Sequence, residues 1–252
     1  EAYRRQQLPY YPKLVAAIPY TPVTSPRLLL ASPASHAEDA AHALLEHALE
    51  EARRQRWSSI HWLFPPPGEL DRLQARGFLP RLGCQSHCQN RGYRDFQDCL
   101  YTLTAKRRKA SVRERRRVRE AGVELVILTG REVSAAQWQQ VHAFYRSTFQ
   151  RLGGVATLTL AFFEDIAEAL GERLVLVLAS VQGRAIAAAV SLRSATTLYG
   201  RHWGCREEVD SLHFEACYYQ GLEYYIAHGL HRFEPGAQGE HKIYRGFLPS
   251  LT

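Results

Sequence analysis

One five-residue stretch occurs twice in this sequence. Arg76-Gly77-Phe78-Leu79-Pro80 returns letter for letter as Arg245-Gly246-Phe247-Leu248-Pro249. An exact recurrence of this length points to an internal duplication, which constrains the fold because each copy brings the same elements with it. The surroundings agree. The first copy reads as a helix (37–56), a strand (58–64), a Pro/Gly break and a short segment before the repeat. The second reads as a helix (212–228), a strand (230–234), a Pro/Gly break and a short segment before the repeat. From Pro65 to Arg76 is eleven steps and from Pro235 to Arg245 is ten, so the spacing agrees to within one residue.

The copies differ where chemistry would sit. The first carries Pro65-Pro66-Pro67-Gly68-Glu69-Leu70-Asp71-Arg72-Leu73, the second Pro235-Gly236-Ala237-Gln238-Gly239-Glu240-His241-Lys242-Ile243. Duplicated domains often keep a site in one copy only, and the polar copy is the expected site.

Other elements follow from periodicity and breakers. Prolines between 9 and 33 leave only short extended pieces, Lys13 to Tyr20 and Arg27 to Ala31. Ser35 or His36 opens the first helix. Residues 69–76 form a short helix and 78–87 a strand. Phe96 to Gly122 is expected as one long helix. Its stripe is Leu100, Leu103, Arg107, Ser111, Glu114, Val118 and Ala121; Arg107 and Glu114 snorkel or pair at the core rim, and the remaining basic residues face water. A strand (123–128), helices (134–152 and 159–170) and three strands (173–180, 185–192, 197–203) follow, with Gln182-Gly183 as a hairpin turn.

Composition narrows the class. The chain has 252 residues, 46% hydrophobic and 23% charged, enough for a core and too apolar for disorder. No apolar run approaches the ~20 residues of a membrane span. Residues 106–119 hold nine Lys/Arg and one Glu; the rest of the chain balances 23 basic against 24 acidic residues, so one segment carries the net charge of +7. Such a patch suggests a phosphate-bearing partner. Cys84, Cys88, Cys99, Cys205 and Cys217 lack disulfide-framework spacing and read as reduced thiols of a cytoplasmic protein. Cys84, His87, Cys88 and Cys99 are irregularly spaced for zinc, and no metal is expected. The chain starts at Glu1 and has no Met, which suggests a fragment or replaced methionines. The repeat, whose first copy lacks the helices and hairpin that precede the second and whose second copy stops before the strand that follows the first, suggests sequence missing at both ends.

The order strand, helix, helix, three antiparallel strands, helix, strand in the second half resembles the GNAT acyltransferase fold. Two such domains in tandem, with a Lys/Arg-rich helix opening the second, resemble the bacterial FemAB-like/GNAT branch of peptidoglycan biosynthesis or recognition proteins. The motifs are Asn90-Arg91-Gly92-Tyr93-Arg94-Asp95-Phe96, Lys106-Arg107-Arg108-Lys109 with Arg113-Glu114-Arg115-Arg116, Leu198-Tyr199-Gly200-Arg201-His202-Trp203-Gly204-Cys205, Leu212-His213-Phe214-Glu215-Ala216-Cys217-Tyr218-Tyr219-Gln220, and 234–242. They cover nearly all of 90–247. The resemblance implies an α/β fold of tandem GNAT-like domains with mixed, mostly antiparallel sheets flanked by helices. Residues 1–90 would be the C-terminal part of a first, degenerate domain. Residues 91–252 would be the functional second, lacking its final strand.

The resemblance also implies acyl or aminoacyl transfer to an amine of a small molecule or peptide, with acyl-coenzyme A (acetyl-coenzyme A) or aminoacyl-tRNA as co-substrate and no tightly bound cofactor. Arg201-x-x-Gly204-x-Arg206 stands near the place of the GNAT pyrophosphate loop but ends in Arg, which cannot allow the close backbone approach of Gly.

Transfer needs a base, oxyanion donors and an acid for the leaving group. Glu215, in the first turn of its helix, Glu240 and His241 are candidate bases; a helix-dipole role for Glu215 and plain solvent exposure for the other two are the competing roles. Tyr199, Tyr218 or Tyr219 could protonate the leaving group, against a core role for a tyrosine-rich helix. Lys242 could hold a phosphate or the acyl carbonyl. Arg201, Gln238, Arg245 and Arg107 complete the candidate co-substrate contacts, and Glu234 pairs with Lys242 or Arg245. Arg201 and Trp203 should share one strand face, with His202 on the other. Two other readings stay open. One is a binding module that kept the fold without catalysis and recognises cell-wall peptide or a nucleotide. The other is RNA binding through helix 106–119, by which tRNA could also dock, although that segment has no aromatic residue for base stacking.

Overall fold

The computed structural model describes residues 5–7, 10–31, 36–237 and 239–252. Ser35 and Gln238 therefore lie outside the described residues. The chain divides into two compact units, residues 1–83 with 251–252, and residues 84–250.

The smaller unit contains β1 (Lys13–Ala16), α1 (Ala37–Arg54), β2 (Ser59–Trp62) and α2 (Pro67–Gln74). β1 and β2 pair in parallel. Arg27 to Ala31 is not a strand. Leu28, Ala41, Leu45 and Leu73 form the core, with Trp62 and Phe78 packed against it. α2 starts at Pro67, earlier than the periodicity suggests, because proline suits the first turn, where its missing N–H is not needed. Glu69 is buried but satisfied by the backbone N–H groups of Arg27 and Leu28 and by the Trp62 indole.

The larger unit is built on β3 (Cys84–Gln89), β4 (Glu124–Thr129), β5 (Leu174–Val181), β6 (Arg184–Arg193), β7 (Thr197–Cys205), β8 (Arg232–Glu234) and β9 (Leu248–Leu251). The sheet order is β4-β5-β6-β7-β8-β3-β9. Strands β4 to β7 run antiparallel, β8 joins β7 in parallel, and β3 is antiparallel to β8. This mixed, mostly antiparallel sheet flanked by helices is the expected fold class. β3 starts later than the sequence suggests and lies in the larger sheet. Gln182 and Gly183 turn the β5–β6 hairpin with φ of 51° and 73°, the pair of positive values that matches strand twist.

Helices are α3 (Phe96–Tyr101), α4 (Ala105–Glu120), α5 (Ala135–Leu152) and α6 (Leu160–Leu170). α7 runs from Leu212 to Ala227 with a π turn at Glu215–Tyr219. The single helix expected over 96–122 is broken between Tyr101 and Ala105. The Thr102 hydroxyl donates back to the Cys99 carbonyl at 2.7 Å, and Arg108 takes the Leu103 carbonyl at 2.6 Å. Local hydroxyl bonding of this kind competes with helix propagation. Ser134 and Gln137 close a capping box on α5.

Alternation along β5 separates the two cores. Leu174, Leu176 and Leu178 pack with Trp138, Phe144 and Tyr145 of α5 and Phe163 of α6. Val177 packs with Ala189 and Ala216 of α7, and Ala179 with Val118 of α4. A Cβ at Gly204 would stand 2.1 Å from the Phe144 carbonyl oxygen, so glycine is required for α5 to lie on β7. Ser147 and Thr148 hydroxyls fix that approach by donating to the Cys205 and Trp203 carbonyls. Gly204 is thus a packing residue inside a strand. Among the described residues, no helix is long and apolar enough to cross a membrane and no group of His, Cys, Asp and Glu could hold a metal ion.

Candidate active site

The site opens where two parallel strands part. β8 pairs with β7 only from Thr197 to Tyr199 and ends at Glu234, while β7 continues to Cys205. A cleft of about 430 Å³ lies beyond, between β6, β7, α7 and the loop that follows β8. In the β6–β7 register Val190 faces His202 and Ser191 faces Gly200, which leaves Arg201 as the extra residue of a bulge. Bulges re-aim side chains and occur beside active sites. The simple alternation expected for 201–203 therefore fails at Arg201, although His202 and Trp203 do diverge. The His202 ring lies 5.0 Å from Tyr145, and Trp203 lies 5.4 Å from His213.

Lys242 sits in a 3-10 turn, Glu240–Arg245. It is only 2% exposed, and its Nζ donates to the Gly236 carbonyl at 2.6 Å. Burial lowers its pKa to about 8. Beside it, His241 Nε2 and the Tyr218 hydroxyl share a 2.8 Å hydrogen bond. The His213 ring is 5.9 Å from that of His241. Burial, then the charges of His241, Arg245 and Lys242, push the His213 pKa down to about 4. Burial and the cations Arg245 and Lys242 also lower that of His241, and burial raises that of Tyr218. Near neutrality the cleft therefore holds an ammonium, uncharged imidazoles and a protonated phenol. Arg201 is desolvated, and no hydrogen bond or ion pair to its guanidinium occurs among the described residues. No carboxylate is among the described residues that line the cleft.

The structure thus brings His241, Lys242 and Arg201 together. Arg245 and Arg107 lie at a separate cleft of about 180 Å³. There Arg245 Nη2 bonds Glu114 at 2.7 Å, the Tyr219 hydroxyl donates to the same carboxylate, and Arg245 Nη1 donates to the His241 carbonyl at 2.8 Å. Arg107 donates to the Ile243 carbonyl and lies 5.1 Å from the Tyr244 ring. Both arginines brace the turn that carries Lys242. Glu114 pairs at the core rim, as its place in the stripe suggests.

Glu215 is buried in the π turn, outside the lining of the cleft, and accepts from Arg115 at 3.0 Å and from the Gln220 amide at 2.8 Å. Arg115 also bridges to Glu223 at 2.6 Å. Its inward turn corrects the expectation that the other basic residues of the helix face water. Glu240 is exposed, and Tyr199 is half-buried outside the cleft lining. Glu234 pairs with Arg232 at 2.9 Å, not with Lys242 or Arg245. The loop between β7 and α7 carries Glu207, Glu208 and Asp210, which pair with Arg184, Arg151 and Arg117. His213 was missed as a site residue. Its position two residues before Glu215 in a tyrosine-rich helix gave the only hint.

A family model described as FemAB-like, peptidoglycan biosynthesis/recognition, matches residues 1–252. No curated protein sequence matches the chain. Among solved structures, FemX is similar over 85% of this chain and 75% of its own, with a TM-score of 0.56 and 14% identity. L-PGS from Bacillus licheniformis is similar over 79% of this chain and 58% of its own, with a TM-score of 0.57 and 11% identity. The C-terminal domain of a putative lysylphosphatidylglycerol synthetase from Agrobacterium fabrum gives 79% and 60%, a TM-score of 0.55 and 11% identity. At these identities the likeness shows the fold.

Proposed function

The chain belongs to the FemAB-like family, tied to peptidoglycan biosynthesis or recognition, and from that premise we propose that it transfers an acyl or aminoacyl group onto an amine. The observation that carries this reading is Lys242, a buried ammonium lining a cleft beside neutral imidazoles and a tyrosine. Burying an ammonium is costly, and ionisable groups shifted by desolvation in a cleft mark functional sites.

Each part of the transfer has a group to serve it. One N–H of Lys242 is held by Gly236, and the other two can donate to the oxyanion that develops on the acyl carbonyl. The acceptor amine nitrogen bonds to the carbonyl carbon and loses a proton to neutral His241, beside which uncharged His213 lines the cleft. The carbonyl–oxygen bond of the donor ester then breaks. The leaving oxygen takes the Tyr218 proton, which His241 restores across their hydrogen bond. Gly204 is packed against the Phe144 backbone and Arg206 follows it, so this stretch offers no open glycine backbone to a pyrophosphate, which favours an aminoacyl-tRNA ester over acyl-coenzyme A as donor. Lys106, Lys109, Arg113 and Arg119 of α4 are exposed and offer a path for the tRNA backbone.

Turnover with aminoacyl-tRNA and with acetyl-coenzyme A, scored on a panel of amines and amino-sugar peptides, tests the proposal. Transfer from the ester donor is expected. Tight binding of acceptor with no transfer from either donor would leave a binding module in its place.

A further inference from the structure

The transfer chemistry above uses Lys242, His241, His213 and Tyr218 and leaves Arg201 unemployed. Its situation is unusual for an arginine. It is lodged in a bulge next to Gly200, whose Cβ would meet the Pro235 backbone at 3.1 Å. Its charge is partly withdrawn from water, and it adds to the burial that lowers the pKa of the neighbouring His202 to about 4. The other inward arginines of this unit each have a partner: Arg115, Arg232 and Arg245 pair with Glu215, Glu234 and Glu114, and Arg107, Arg108 and Arg193 donate to a carbonyl or hydroxyl oxygen. Arg201 has none among the described residues. A half-buried cation with no partner among the described residues is set up for an anion that arrives with a ligand.

We propose that the cleft recognises a carboxylate: the fork of Arg201, pushed out by the β7 bulge, takes the carboxylate of an amine-bearing acceptor of amino-acid or dipeptide size. A guanidinium fork matches a planar carboxylate through two parallel hydrogen bonds. The cleft, at about 430 Å³, lies in the range of roughly 300–1,000 Å³ typical of small-ligand pockets. With the carboxylate held at β7, the amine end of such a molecule is left toward the Lys242–His241 side of the same cleft. A phosphate of the donor shares the oxoanion chemistry, and the test separates the two sources. The word acceptor rests on the transfer reading; the binding does not.

Titration calorimetry on the full chain with glycylglycine, glycylglycine amide, inorganic phosphate and adenosine diphosphate tests this. Glycylglycine is expected to bind at least tenfold more tightly than its amide. Arg201→Ala should erase that difference, and Arg201→Lys, which keeps the charge and the packing stem, should retain only part of it. Equal affinity for the peptide and its amide, or no binding of either, overturns the proposal. Phosphate or adenosine diphosphate binding more tightly than glycylglycine, and lost in Arg201→Ala, assigns the anion to the donor and also overturns it. Undiminished discrimination in Arg201→Lys overturns the bidentate contact. Selective peptide binding without turnover would sink the transfer reading alone. Transfer at full kcat/KM to amines that have no carboxylate would sink this one alone.

Discussion

At Arg76 and at Arg245 the chain makes the same turn. Gly77 and Gly246 take φ of 83° and 91°. The Phe78 N–H reaches the Leu73 carbonyl at 3.1 Å, and the Phe247 N–H reaches the Lys242 carbonyl at 3.3 Å. Each arginine donates through Nη1 to the carbonyl four residues before it, Arg72 and His241. The turns superpose Leu73 on Lys242 in this pattern, and both are 2% exposed. The fold therefore accepts an apolar residue at this position. Putting an ammonium there lowers stability unless it is compensated, so Lys242 is explained by what it does in the cleft and not by what it does for the fold.

The largest expected effect tests whether the two turns bear equal loads. Phe247 is fully buried between Tyr218 and Phe233, whereas Phe78 is part-exposed and meets Trp62 edge-on at 6.3 Å. Phe247→Ala should cost ~3–5 kcal/mol, the range for a buried aromatic, and Phe78→Ala clearly less, both read by urea denaturation. Equal losses would break the contrast between the copies.

Lys242→Leu puts the residue of the first copy into the second. Turnover should fall by about 10²–10³-fold, the usual loss for one oxyanion donor, with the melting temperature held or raised. Collapse of the fold instead would show that the two positions are not equivalent. The same residue sets a pH signature. Its pKa is about 8 in the folded chain against 10.5 for an ordinary lysine. Between those values the unfolded chain binds more protons, so this group's contribution to stability rises with pH. Its cost is fully present below pH 8. Activity runs the other way, because the oxyanion role needs the ammonium, and should decline above about pH 8. Denaturation of the wild type and of Lys242→Leu at pH 7.5 and pH 10 isolates the stability part; an identical pH response in both would remove Lys242 from the account.

Much of the frame was legible because it is written in local patterns. The α1 periodicity, the Gln182-Gly183 turn and the Ser134 cap each involve residues within a few positions of one another. The repeat even exposed the position of Lys242. Partners far apart in sequence were not legible. Arg115 follows Glu114 on a helix whose period puts it toward water, yet it reaches Glu215 and Glu223, about a hundred residues on. Helical period reports which face is buried, not whether a long side chain at its rim finds a carboxylate. The pairing that withdraws Glu215 from the role of base, with Arg115 and Gln220, is hidden for the same reason. The bulge at Arg201 was invisible because it depends on the register between two strands. Nor could a linear pattern set β3 between β8 and β9.

The smallest effect concerns the arginines themselves. Arg76 bonds Glu46 at 3.2 Å, and that carboxylate is 42% exposed. Arg245 pairs with the Glu114 carboxylate, which also accepts the Tyr219 hydroxyl, and its guanidinium lies 3.5 Å from the centre of the Phe214 ring. Water screens the first pair and not the second. Arg76→Ala is therefore expected to change stability by only ~0–1 kcal/mol, measured by denaturation at low and high salt, with the small loss shrinking as salt rises. A loss near ~3 kcal/mol, the scale of a broken buried pair, would mean that the first turn leans on its arginine as the second does. The contrast would then rest on Leu73 against Lys242 and on Phe78 against Phe247.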